Sequence, residues 1–140
     1  MKTKTAVKIA QEEEKKDERA KDQARAQFAS IKEMVEAFDN ATTDEERETA
    51  EETINNDPLS LQTRSGWISP GEKMEAEEFN ILLCTGGPAC RIIGELNEHK
   101  EPESPRLQYQ DWFTQWEVFY LDSEEEAILL SYCNKFYFGE

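Results

Sequence analysis

The sequence predicts an α+β domain, with an antiparallel sheet of about four strands, a central hairpin, and N-terminal helices and a C-terminal helix packed on it. Three patterns predict this class. Apolar residues recur at helical spacing before residue 40 and alternate at strand spacing between residues 59 and 112, and a capping-box sequence near residue 123 opens a last helix. The densest apolar stretch, residues 78–96 (EFNILLCTGGPACRIIGEL), is interrupted by Gly-Gly-Pro, which predicts the hairpin.

The N-terminal segment has a distinct composition. Residues 1–40 contain nine Lys/Arg and nine Asp/Glu, and we predict a charged helical arm over 1–40 followed by an acidic α+β domain over 41–140. Spacings of 4, 3, 4 and 3 place a single apolar seam on this arm at Ala24, Phe28, Ile31, Val35 and Phe38. Two interpretations remain open: a helix lying on the sheet, or a seam for a homodimer or another partner.

A second helix and a first strand follow the arm. Thr43 and Glu46 have capping-box spacing and predict a short helix that ends near residue 54, with Ala50 and Ile54 on its apolar face. Residues 59–68 alternate and predict a half-buried strand with Trp67 on its buried side.

The remaining elements come from the second half of the chain. We expect residues 97–105 to form a loop, residues 106–112 a strand, and residues 113–121 an extension of the sheet edge. A capping box at Ser123 and Glu126 predicts a helix through residue 136. The fourth strand alternates Leu107, Tyr109 and Asp111 against Gln108, Gln110 and Trp112. The residues expected to contribute to the core from the hairpin and the last helix are Phe79, Ile81, Leu83, Cys90, Ile92, Leu96, Ala127, Leu130, Tyr132, Cys133 and Phe136.

The charge balance restricts the partners. Residues 41–140 contain seven Lys/Arg and 22 Asp/Glu, which accounts for the whole net charge of −15. Such a domain repels nucleic acid and anionic lipid and attracts basic protein surfaces. The chain has neither an apolar run long enough for a transmembrane helix nor a secretory signal, and its three cysteines are an odd number. We therefore expect a cytoplasmic protein with reduced cysteines and no membrane partner.

The motifs that suggest chemistry each have a simpler interpretation. Cys84 and Cys90 flank the hairpin turn and are expected to be structural thiols, with a cross-strand disulfide or a Cys–His nucleophile as alternatives. With His99 they do not match zinc-site spacing. Residues 85–88 (TGGP) lead into a strand rather than a helix, which favours a tight turn over a phosphate loop. We expect no enzyme activity, catalytic residue, cofactor or metal.

Acidic runs and one tryptophan are the predicted binding features. The alternative interpretation is that the acidity only keeps an accessory interaction module soluble. We expect Trp112 to be an exposed anchor, because indole is enriched at interface hot spots, whereas Trp67 belongs to the core. The predicted partner-binding residues are Asp44, Glu45, Glu48, Glu51, Glu52, Asp111, Trp112, Glu124 and Glu125.

Three segments carry a resemblance: SGWISPG, LLCTGGPACRIIGEL and LQYQDWF. Over about residues 57–140 the chain resembles small uncharacterised proteins encoded by phages, prophages and plasmids. In size and acidity it also resembles anti-CRISPR proteins. This resemblance implies an inhibitor whose acidic surface competes with nucleic acid for a basic groove of a host nucleic-acid-binding complex, such as a CRISPR effector.

Overall fold

The protein is an antiparallel five-stranded meander covered on one face by three helices, as the predicted α+β class requires. The computed structural model describes residues 4–112 and 114–139, with side chains from residue 18 onward apart from Phe113. The ends of the predicted arm and last segment, residues 1–3 and 140, lie outside the described residues, as does Phe113. The elements are α1 (Lys4–Asp39), α2 (Asp44–Asn56), β1 (Ser60–Arg64), β2 (Glu78–Cys84), β3 (Ala89–Leu96), β4 (Pro102–Gln110), β5 (Glu117–Val118) and α3 (Ser123–Cys133).

The second half of α1 lies on the sheet. Ala24, Phe28, Ile31 and Val35 of its seam are buried in the same core cluster as the hairpin, and Phe38 is half-buried against that cluster. Helix α1 contacts α2, α3, β3 and β4. Of the two interpretations of the seam, these contacts match the helix on the sheet, since the chain's own core already covers the seam. The proposed boundary at residue 40 stays a prediction.

The central hairpin is confirmed as the framework of the fold. The inward side chains predicted for β2 and β3 are all buried, and Ile81 pairs with Ile92, which in turn pairs with Leu107. The turn between the strands uses Gly86 and Gly87 at φ of 98° and 129°, a region that favours glycine. The segment TGGP is therefore a hairpin turn.

The prediction for β1 was wrong in its burial. β1 pairs with β2 at the sheet edge, but four of its five residues are exposed, and Trp67 after it is fully exposed. The helices contact β3 and β4, so the apolar residues around β1 have no helix layer above them.

Several boundaries also differ from the prediction. β4 begins at Pro102, inside the expected loop, because Pro102 pairs with Leu96 and a proline at the first position of a strand loses no required donor. The α3 capping box is formed one residue earlier than expected, by Asp122 and Glu125. The helix ends at Cys133, three residues before the predicted end at residue 136. Leu129 is buried on it, whereas Ala127 is exposed, Leu130 is half-buried, and Phe136 is half-buried after the helix end.

Candidate functional site

The strongest concentration of negative charge lies on α2. Thr43 caps this helix by accepting a hydrogen bond from the Glu46 N–H at 3.1 Å, and Ala50 and Ile54 anchor the opposite face in the core. At 3.6 residues per turn, the five predicted acidic residues fall within an arc of about 120° that points away from the buried side. All five are exposed, and together they are called the acidic stripe: Asp44, Glu45, Glu48, Glu51 and Glu52.

The capping geometry keeps this end of α2 negatively charged. The Glu46 carboxylate accepts hydrogen bonds from the backbone N–H of Thr42 at 3.0 Å and from the Thr42 hydroxyl at 3.2 Å. These bonds, the backbone bond first, lower the pKa of Glu46. Acidic residues in the first turn are also favoured by the helix dipole, so charge and helix stability support each other here.

A groove between α1 and α2 adjoins the acidic stripe and shares Glu45 with it. It has a volume of about 580 Å³, and its lining includes the apolar residues Met34, Ala37 and Ala50 together with the acidic residues Glu33, Glu45 and Glu46. We call it the acidic groove. A lining that combines apolar and acidic residues suits a lysine or arginine side chain, whose stem is aliphatic and whose end is charged. The sequence contains the signal for this groove as small residues on facing turns of the two helices, but the pairing of those helices cannot be deduced from spacing alone.

Asp111 and Trp112 have different environments although they are adjacent. Asp111 is 4% exposed, and its carboxylate accepts a hydrogen bond from the Trp112 N–H at 2.7 Å and lies 3.7 Å from the Arg19 guanidinium. It therefore ends β4 and ties it to α1, and its carboxylate is not part of an exposed acidic surface. Trp112 is 58% exposed beside Gly87 of the hairpin turn.

The nine predicted residues do not form one continuous patch. The acidic groove involves α1 from Glu33 onward, whereas Asp111 contacts α1 at Arg19, about 21 Å away along the helix at 1.5 Å per residue. Glu124 is exposed in the first turn of α3, and Glu125 is half-buried and accepts the Asp122 N–H in the capping box. The acidic stripe is thus the predicted group that the fold assembles most closely.

The side chains considered as nucleophile and base, the two hairpin cysteines and His99, lie at opposite ends of the hairpin. Cys84 and Cys90 are direct cross-strand partners at the turn end of the hairpin and are free thiols. A hydrogen bond from Cys90 lowers the pKa of Cys84, and the same interaction raises the pKa of Cys90. His99 follows the other end of β3, about 20 Å from Cys90 at 3.3 Å per strand residue, which is too far for a Cys–His nucleophile pair.

The described part of the chain contains no cluster of His, Cys, Asp and Glu arranged to hold a metal ion. Among the described residues, no helix is both long and apolar enough to cross a membrane. No protein-family model, curated protein or solved structure matches this chain.

Proposed function

We propose that this protein is a phage-type inhibitor of a host nucleic-acid-handling defence complex, in the manner of an anti-CRISPR protein acting in the host cytoplasm. Its acidic stripe and acidic groove bind a lysine- and arginine-lined surface and compete there with nucleic acid. The exposed Trp112 supplies a second, local contact. The protein acts by occupying this surface, without a cofactor.

The spacing of the acidic stripe is the observation that carries the proposal. From Asp44 to Glu52 the helix rises by about 12 Å, so five carboxylates follow one another at roughly 3 Å per charge. A strand of B-DNA carries one phosphate per about 3.4 Å. A surface that binds a phosphate backbone therefore meets a similar density of negative charge on α2.

The rigidity of the stripe further supports this function. Ile54 is fully buried, and the Tyr132 hydroxyl of α3 donates a hydrogen bond of 2.7 Å to the Asp57 carboxylate at the C-terminal cap of α2. Carboxylates on a fixed helix lose less conformational freedom on binding than carboxylates on a loop. Electrostatic complementarity of this kind accelerates association at low salt.

The experiment compares two variants of equal net charge. In the stripe variant, the five acidic residues of the acidic stripe become Asn or Gln. In the control variant, five exposed glutamates elsewhere become Gln, so that both variants carry −10 in place of −15. The control positions are Glu72, Glu98, Glu101, Glu103 and Glu117.

Each protein is used to capture partners from a bacterial host lysate, and the captured partner is then tested for nucleic-acid binding. We expect the wild type and the control variant to retain a nucleic-acid-binding protein at low salt and to displace its DNA or RNA, and the stripe variant to do neither. Elution should occur as salt screens the interaction. A partner that the stripe variant binds equally well, or that stays bound at 1 M salt, would show that the acidity serves solubility only.

A further inference from the structure

The face of the sheet opposite the helices holds a positive cluster in this acidic protein. Strand alternation directs Ile92 and Leu107 into the core and their neighbours to the other face. Three of the four arginines in residues 41–140 lie on this second face: Arg64 in β1, Arg91 in β3 and Arg106 in β4. The carboxylates of Glu78 and Glu95 lie on the same face and pair with Arg64 and Arg106, so positive charge exceeds negative charge only where the three arginines come together.

These arginines surround a cleft. Its volume is about 560 Å³, within the range of small-molecule pockets, about 300–1,000 Å³. Arg64, Arg91 and Arg106 line it together with one acidic residue, Glu78, and Glu95 contacts Arg106 from outside the lining, so an anionic occupant meets a net positive charge. We call it the arginine cleft, and the residues that matter for its chemistry are Gln62, Arg64, Glu78, Asn80, Arg91 and Arg106.

Arg91 is held in place for binding. Its Nε donates a hydrogen bond of 2.8 Å to Gln108 Oε1, and its guanidinium lies 4.0 Å from the centroid of the Trp116 ring. Burial, followed by the positive charge of Arg64, lowers the pKa of Arg91. An oxyanion bound between these side chains would relieve both the burial of charge and the repulsion.

The other two arginines are only loosely engaged. Arg64 pairs with Glu78, and Arg106 lies 3.3 Å from Glu95, in ion pairs whose side chains are all exposed by two fifths or more. Exposed pairs of this type are weak and exchange readily with solvent ions. Both guanidinium groups can therefore turn to a ligand.

Asn80 adds a requirement for a hydrogen-bond donor. Its Oδ1 atom is buried and has no hydrogen-bond partner among the described residues. An unsatisfied buried acceptor is destabilising, so a ligand N–H or O–H that reaches it gains a favourable contact. The occupant of the cleft must combine negative charge with such a donor.

We propose that the arginine cleft binds a mononucleotide, with its phosphate on the arginines and a base N–H or ribose hydroxyl donating to Asn80. A single nucleotide brings about two negative charges. A long nucleic acid, in contrast, would extend beyond the cleft into the field of the acidic domain and be repelled. The cleft lies on the opposite face of the sheet from α2, so this site is independent of the proposed inhibitor surface.

The test is calorimetric titration of the full chain at low salt with the four ribonucleoside 5′-monophosphates, and with adenosine and inorganic phosphate as partial ligands. We expect at least one nucleotide to bind one-to-one, and at least ten-fold more tightly than either partial ligand. Arg91→Gln should weaken this binding at least ten-fold. Arg47→Gln removes the same charge from α2 and should leave the affinity unchanged. In wild-type protein, bound nucleotide should shift the NMR signals of the Asn80 amide and the Trp116 indole.

Several results would overturn the proposal. These are the absence of binding by all four nucleotides at millimolar concentration, phosphate binding as tightly as nucleotide, and unmoved Asn80 and Trp116 signals in the wild type. Arg106→Gln provides a second variant if Arg91→Gln lowers the unfolding midpoint. Wild-type affinity in a folded cleft variant would likewise exclude the site.

Discussion

Replacing Ile31 by alanine tests whether α1 belongs to the folded core. Ile31 is fully buried between α1 and the rest of the core cluster, whereas the adjacent Lys32 is exposed. Removing a buried isoleucine down to alanine costs about 2–5 kcal/mol, through lost transfer free energy and the cavity that remains. Lys32→Ala is the matched control and should change the free energy of unfolding by less than about 0.5 kcal/mol.

Urea unfolding followed by tryptophan fluorescence and circular dichroism measures both variants. With a urea m value of about 2 kcal/mol/M, a loss of about 3 kcal/mol lowers the midpoint by about 1.5 M. Equal midpoints for Ile31→Ala and Lys32→Ala would refute the packing of α1 on the sheet.

Deleting residues 1–40 also tests whether α1 is part of the folded core. Phe28, Ile31 and Val35 are buried, and each large apolar side chain contributes about 1.5–3 kcal/mol on burial. Their sum is close to the whole stability of a typical domain, about 5–15 kcal/mol. We therefore expect residues 41–140 alone to lose cooperative unfolding, and a folded fragment would instead support a separate arm.

Two further predictions concern single polar contacts. Tyr132→Phe removes the hydrogen bond to Asp57 and should lower the free energy of unfolding, measured by urea titration, by about 1–2 kcal/mol. Hydrogen bonds to charged groups contribute about 1.5–3 kcal/mol, and the expected loss is smaller because Asp57 keeps some access to water. An unchanged free energy of unfolding would contradict this contact. Iodoacetamide should label Cys84 with a pH midpoint below that of an ordinary thiol, because Cys90 lowers the pKa of Cys84, and Cys90→Ala should move this midpoint upward by on the order of one pH unit. Buried Cys133, whose pKa is raised, should stay unlabelled. A labelling midpoint that Cys90→Ala leaves unchanged would contradict the thiol pair.

The fold class and the central hairpin could be predicted because local patterns specify them. Ile81, Ile92 and Leu107 follow strict alternation, and each is fully buried in adjacent strands. Capping sequences likewise located both shorter helices, since a cap requires only a side chain and a backbone N–H a few residues away. Strand alternation and helix caps can be recognised in the sequence without knowledge of tertiary contacts.

The predictions that were wrong concern residues whose burial depends on elements distant in sequence. Trp67 resembles a core residue by type, but no helix covers β1, and the ring is exposed. Asp111 resembles a surface acid, yet it follows the inward register of Leu107 and Tyr109 and is buried near Arg19. The arginine cleft could not be predicted at all, because its three arginines are up to 42 residues apart in sequence, from Arg64 to Arg106, and meet only through the order of the strands.

The distribution of charge over the two faces of the sheet sharpens the functional argument. If acidity served only solubility, carboxylates would be expected on every exposed surface, including the uncovered face. Carboxylates do lie on that face, at Glu78 and Glu95, but in the arginine cleft Arg64, Arg91 and Arg106 outnumber them, while the acidic stripe lies on the helix layer. The contrast between the acidic stripe and the arginine cleft permits two ligands of opposite sign, a basic protein surface on α2 and a small anion in the cleft. Raising salt weakens both interactions, but the stripe variant should abolish only the first, and Arg91→Gln and Arg106→Gln should weaken only the second.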